Sequence, residues 1–111
     1  MTEEAKKFLL DINKAIELIE SFTKDYDNFF DYQADLKTKS AVERQLGIIG
    51  EAVNQYRKLE SEIVLTSTSQ IIAVRNRLIH SYDNIDDTIV WAILKRHLPK
   101  LKNEVAEGIK K

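Results

Sequence analysis

The chain has 111 residues, no cysteine, 43% hydrophobic and 32% charged residues and a net charge of −1. That is one ordinary globular domain, spanning 1–111, and it excludes disulfide stapling, thiolate catalysis and cysteine-bound zinc together, which fits a reducing cytoplasm. No apolar stretch approaches the ~20 residues that cross a bilayer, and in MTEEAKKFLL the acids precede any apolar run, so neither a membrane span nor a signal peptide is expected.

Three glycines and one proline leave few breakers, and the chain reads as long helices. Thr2 with Glu3 and Glu4 opens the first, whose Phe8, Leu9, Ile12, Ala15, Ile16, Ile19 and Phe22 keep one face. Asp25 to Tyr32, dense in aromatics and Asp, is a loop or a short helix. A second long helix is predicted from about Leu36 to Leu59. At 100° per residue its core stripe is Ala41, Val42, Gln45, Ile48, Ile49, Ala52, Val53, Tyr56 and Leu59. Gly47 and Gly50 fall on the other side with Glu43, Arg44, Glu51 and Asn54. Each glycine costs about 1 kcal/mol against alanine inside a helix. The pair therefore predicts a second surface approached closely by another helix, a second subunit or a ligand, a homodimer being the simplest form.

Thr66-Ser67-Thr68-Ser69 starts a third helix that carries Ile71, Ile72, Leu78 and Ile79, and Asp83-Asn84 breaks it. Asp86 or Asp87 caps a fourth, with Ile89, Val90, Trp91, Ile93 and Leu94, and Pro99 starts or kinks the last segment. The architecture expected is all-α, an up-down bundle of four to five helices.

Charge is uneven along the chain. Residues 1–74 hold nine Lys/Arg against thirteen Asp/Glu, whereas 75–111 hold eight against five. A polyanion should therefore meet the C-terminal third. That third opens on Arg75-Asn76-Arg77-Leu78-Ile79-His80-Ser81-Tyr82, where polar groups gather at the end of an apolar helix. Asn76 and His80 are four apart and adjacent if the helix reaches His80. Arg75 lies closer to the core and needs a carboxylate, which Glu51 or Glu43 can supply.

Two readings of this segment follow. In one, Arg75 is a strut, His80 a helix C-cap and Tyr82 a packing residue. In the other, the segment cleaves RNA without a metal. The 2′-hydroxyl is the nucleophile, a histidine moves its proton, and an arginine stabilises the growing charge on phosphate. Asn76 would orient His80 or hold a phosphate oxygen. A general acid and a general base are both needed, and a homodimer pairing two such segments would provide them. No metal-ligand spacing is present, and His97, among Lys95, Arg96 and Lys100, reads as a surface residue.

The run from Arg75 to Tyr82 resembles the Arg-x4-His-x-Tyr motif of HEPN proteins of the HepT toxin type. The resemblance continues upstream through Ala41-Val42-Glu43-Arg44-Gln45-Leu46-Gly47-Ile48-Ile49-Gly50-Glu51-Ala52. Downstream it runs through Ile85-Asp86 and Trp91 to Leu98-Pro99-Lys100-Leu101, so that it covers most of 8–105; Asp25 to Asp35 matches nothing distinctive. It implies a dimeric helical bundle with Arg75 and His80 catalytic in a shared cleft. Asn76 stands beside them, and Arg77 and Arg44 are the further RNA-binding candidates. It implies cleavage of an RNA such as tRNA or mRNA with no cofactor. It further implies a nucleotidyltransferase antitoxin of the MntA type that transfers AMP to Tyr82 and silences the toxin. The alternative is a non-catalytic HEPN subunit that docks to a nucleotidyltransferase and binds nucleotide or RNA without cleaving it.

Overall fold

In the computed structural model, residues 1–66, 68–80 and 85–111 are described. Among them are α1 (Glu3–Thr23), α2 (Phe29–Ala34), α3 (Leu36–Arg57), α4 (Thr68–His80), α5 (Asp87–Ala92) and α6 (Leu98–Lys110). A π-helical turn, Ile93–His97, joins α5 to α6 into one continuous rod. Counted that way the domain has five helical rods and no described strand, the all-α bundle the sequence predicts. The expected break at Asp83-Asn84, and Tyr82 itself, lie outside the described residues. No described helix is long and apolar enough to cross a membrane.

Capping chemistry sets the starts. The Thr2 hydroxyl accepts from Ala5 N–H at 3.1 Å, Asn28 caps α2, Asp35 caps α3 and Asp86 caps α5. Asp35 also accepts from the Tyr26 hydroxyl and from Thr38 N–H, and these bonds hold its carboxyl below the ordinary range. Proline explains the π turn. Pro99 has no N–H to give the carbonyl of Lys95, and its ring crowds that carbonyl. The rod widens, and Leu98 N–H donates to Ile93 O instead.

α1 and α6 pack together, α1 against α3, and α3 against α4. Glu20 meets Lys102 at 2.9 Å while Leu9 meets Gly108, so α1 and α6 run antiparallel. The core is wholly apolar among the described residues, with Leu9, Ile12, Ile16, Ile19, Val42, Leu46, Ile49, Val53, Ile71, Val90, Leu101 and Val105 at its centre. Trp91 anchors α2 on α5 through Phe29 and Tyr32, with ring centroids 6.3 Å and 5.2 Å away.

Two sequence expectations for α3 need correction. Leu46 and Gly50 are buried and Ile48 is 39% exposed, whereas the predicted stripe contained Ile48 and omitted Leu46. A helix between two neighbours is buried on more than one face, and α3 lies between α1 and α4. For the same reason the close approach at Gly50 comes from α4 of the same chain, not from a second subunit. A Cβ there would overlap Arg75 Cβ and stand 2.9 Å from Arg75 Cγ and 3.3 Å from Ile71 O. Gly47 faces Leu78 at 4.0 Å, so α3 and α4 are antiparallel.

Candidate active site

α4 carries the stretch Arg75 to His80, and its neighbours place Arg75, Asn76 and Arg77. Gly50 lets the Arg75 stem lie flat against α3, and the guanidinium then reaches Glu51, with which Nη2 pairs. The Arg75 side chain is a quarter exposed and that of Glu51 nearly half, while the paired Oε2 itself is buried, so the pair is only partly screened by water. Its value is geometric. Arg75 Nη1 also donates to Asn76 Oδ1 at 3.2 Å, so two donor positions of the fork are fixed. Asn76 therefore holds Arg75; the expectation that it orients His80 has no counterpart among the described contacts.

His80 is the last residue of α4 and is exposed. Five residues of helix separate it from Arg75, about 7.5 Å of rise, and the two Cα–Cβ directions diverge by about 140°. Asn76 projects between them. One chain therefore presents a fixed guanidinium and an exposed imidazole on widely separated faces of a single helix.

Beside Arg75, between α1, α3 and α4, runs a groove of about 660 Å³. Arg44 and Arg75 share its walls with Asp11, Glu43 and Glu51, while Ile48 and Ile79 stand 39% and 42% exposed at its edge. Arg77 projects to the opposite flank of α4 and lines a different groove, together with His97. His97 is half-buried there, which differs from the surface position expected of it.

Of the two carboxylates predicted to serve Arg75, only Glu51 does. Glu43 lies two turns earlier on α3, in the field of Asp87 and Lys39, which pair with each other at 2.7 Å. Burial pushes the Glu43 carboxyl above its ordinary range, and Asp87 adds to the effect. Nearby, burial pushes the Tyr32 hydroxyl up as well, and among the described residues it has no hydrogen-bond partner. A carboxyl raised by folding is more readily protonated folded than unfolded. It therefore subtracts stability as pH rises above its unfolded value and through its folded one. Glu43→Gln should melt higher than wild type at pH 7, with the gap closing below about pH 4. Thermal melts at the two pH values check this, and a gap independent of pH would contradict it.

The model of the family described as "Ribonuclease HepT-like" matches residues 12–107, which includes the whole of α3 and α4. The chain belongs to the HepT-like ribonuclease family. It is 39% identical to "Probable ribonuclease HepT" of Thermococcus cleftensis, over 94% of each chain. It is 35% identical to "Putative RNase MJ1380" of Methanocaldococcus jannaschii, over 92% of this chain and 94% of that one. No solved structure matches.

Sequence reasoning missed three features here. The Gly50–Arg75 contact was legible only as an unexplained helical glycine. Gly108 admits the Leu9 side chain, which would stand 2.7 Å from an added Cβ. Glu104 clasps the loop before α4, accepting from Thr66 N–H at 3.0 Å and from its hydroxyl at 2.7 Å. No local pattern marks that last pair, 38 residues apart.

Proposed function

We propose that this chain is a metal-independent endoribonuclease toxin of a HEPN/nucleotidyltransferase pair, working in the cytoplasm as a homodimer. The observation that carries the reading is the guanidinium of Arg75. Glu51 and Asn76 fix it on the helix whose exposed last residue is His80. Membership of the HepT-like family supports ribonuclease activity, and the names of the relatives point the same way.

The chemistry follows from these groups. An imidazole takes the proton of a 2′-hydroxyl, and the oxygen attacks the adjacent phosphorus. The P–O5′ bond breaks, and the leaving oxygen takes a proton from a second acid. The products are a 2′,3′-cyclic phosphate and a 5′-hydroxyl. Arg75 stabilises the charge that grows on the non-bridging oxygens. The His80 of a second copy supplies the second proton-transfer group, since each chain contributes one histidine to the motif. The apolar edge of Ile48 and Ile79 beside Arg75 supports pairing of two copies there. Arg44 extends the cationic surface on the α3 side, and Arg77 on the other.

Silencing is assigned to Tyr82, two residues beyond His80. AMP transferred to its hydroxyl adds bulk and negative charge where the RNA phosphate binds. The test is expression in cells. Wild type arrests growth, His80→Ala does not, and Tyr82→Phe stays toxic when the nucleotidyltransferase antitoxin is co-expressed. If co-expression neutralised Tyr82→Phe fully, the modification site would be wrong.

A further inference from the structure

The two grooves flanking α4 differ in charge. The groove on the α3 side is lined by three carboxylates, Asp11, Glu43 and Glu51, against two arginines. The groove on the other side, of about 280 Å³, lies between α4 and the rod formed by α5 and the π turn. Among the described residues its ionisable lining is Arg77 and His97, joined by the amide of Gln70, with no carboxylate. Between these groups the surface is apolar, formed by Ala73, Ile89 and Ala92 among others. We propose that this groove holds one nucleotide of the RNA strand next to the cleaved bond, its phosphate on Arg77 and His97 and its base against Ile89 and Ala92. The inference rests on the ribonuclease reading and adds to it the side on which substrate lies.

Position supports it. Arg77 is three residues before His80 and therefore its neighbour on the surface of α4, so a strand lying at His80 is within reach of Arg77. The π turn supplies the opposite wall. It follows from Pro99, and along it His97 is half-buried at the groove while Arg96 is exposed beside it. Exposed Lys100 follows one turn later, so the cationic surface continues beyond the groove. Asp86, which lies in the field of Arg77, is committed to the α5 cap: its Oδ1 accepts from Thr88 N–H at 2.9 Å and from the Thr88 hydroxyl at 2.6 Å. The groove volume lies at the small end of ligand sites, which suits a single nucleotide rather than a docked helix. Apolar contact with a base face is sequence-tolerant, as a general ribonuclease subsite requires.

The test is equilibrium binding of a fluorescent single-stranded 2′-O-methyl oligoribonucleotide, which cannot be cleaved, to the full-length protein. Arg77→Ala and His97→Ala should each weaken binding about 5-fold at low salt, and Arg77→Ala should lower the salt slope by about 0.7. Ile89→Glu places a carboxylate at the mouth of the groove and should weaken binding about 10-fold or more. Lys14→Ala, on α1 and outside both grooves, should bind as wild type. Melting curves establish that each variant is folded, and on cleavable RNA the groove variants should raise KM and leave kcat unchanged. Unchanged affinity in Arg77→Ala and Ile89→Glu, with wild type still cleaving RNA, would overturn the subsite alone. Wild type that neither binds nor cleaves would overturn the ribonuclease reading with it. If Ile89→Glu converted a dimer to a monomer in sedimentation velocity while a covalently linked dimer of it bound RNA normally, the groove would be a subunit interface and the proposal would fail.

Discussion

His80→Ala and Arg75→Ala should each lower the rate of RNA cleavage by about 10²–10⁴-fold while leaving the melting temperature within a few degrees of wild type. His80 ends α4 with its side chain exposed, so its removal deletes no core contact. Arg75→Ala takes more with it. Glu51 loses its cation, and the aliphatic stem packed on Gly50 disappears. Glu51 is nearly half exposed, however, and water can solvate it, so the stability cost stays small. The two variants should also differ in kind. His80→Ala removes proton transfer and should leave substrate affinity intact. Arg75→Ala removes a phosphate contact and should raise KM as well as lower kcat. Arg75→Lys keeps the charge but loses the fork that Glu51 and Asn76 hold, and it should recover only part of the rate. Single-turnover cleavage of one labelled RNA across the three variants separates these effects. Equal, full activity in His80→Ala would remove it from the mechanism.

Gly50→Ala should destabilise the fold and slow catalysis together. On an exposed helical face this substitution would add about 1 kcal/mol of stability through propensity. Here the new methyl meets Arg75 at its root, Cβ and Cγ, and stands 3.3 Å from the carbonyl of Ile71. Neither the stem nor the backbone can swing aside as a side-chain tip would, so α4 must move away from α3. Overpacking of this kind costs typically about 1–3 kcal/mol, so after the propensity gain the net loss is up to about 2 kcal/mol and should lower the melting temperature by up to about 10 °C. The displacement also carries Arg75 away from Glu51, so kcat should fall even under conditions where the variant is fully folded. A Gly50→Ala protein as stable and as active as wild type would show that the α3–α4 approach is looser than described. Gly47→Ala serves as the comparison, because its nearest neighbour, Leu78 Cδ1, is 4.0 Å away and the added methyl fits.

These contrasts mark what the sequence discloses and what it does not. The cap at Thr2, the core face of α1 and a cap at Asp86, one of two candidates offered for α5, rest on local spacing and are found in the structure. The phase of α3 was misjudged around Leu46 and Ile48 because periodicity identifies one apolar face, whereas α3 is covered on two. Gly50 announced a close approach, but a glycine does not say which surface approaches it; that is a property of α4 folding back. Glu43 read as equivalent to Glu51, being two turns away on the same helix. Its surroundings are instead set by Asp87 and Lys39, and Asp87 arrives with α5 from far along the chain. The π turn follows from Pro99, yet its consequence, a half-buried His97 facing Arg77, depends on where the rod packs. Chemistry-bearing residue types were legible; the faces on which they meet were tertiary.

The most direct test of the central claim is incubation of the purified protein, with Tyr82 shown by mass to be unmodified, with RNA in excess EDTA beside His80→Ala. The account predicts fragments from wild type alone, ending in 2′,3′-cyclic phosphates and 5′-hydroxyls. Fragments that need added metal, that end in 3′-hydroxyls, or that appear equally with His80→Ala would contradict it, as would no cleavage of any RNA by the unmodified protein.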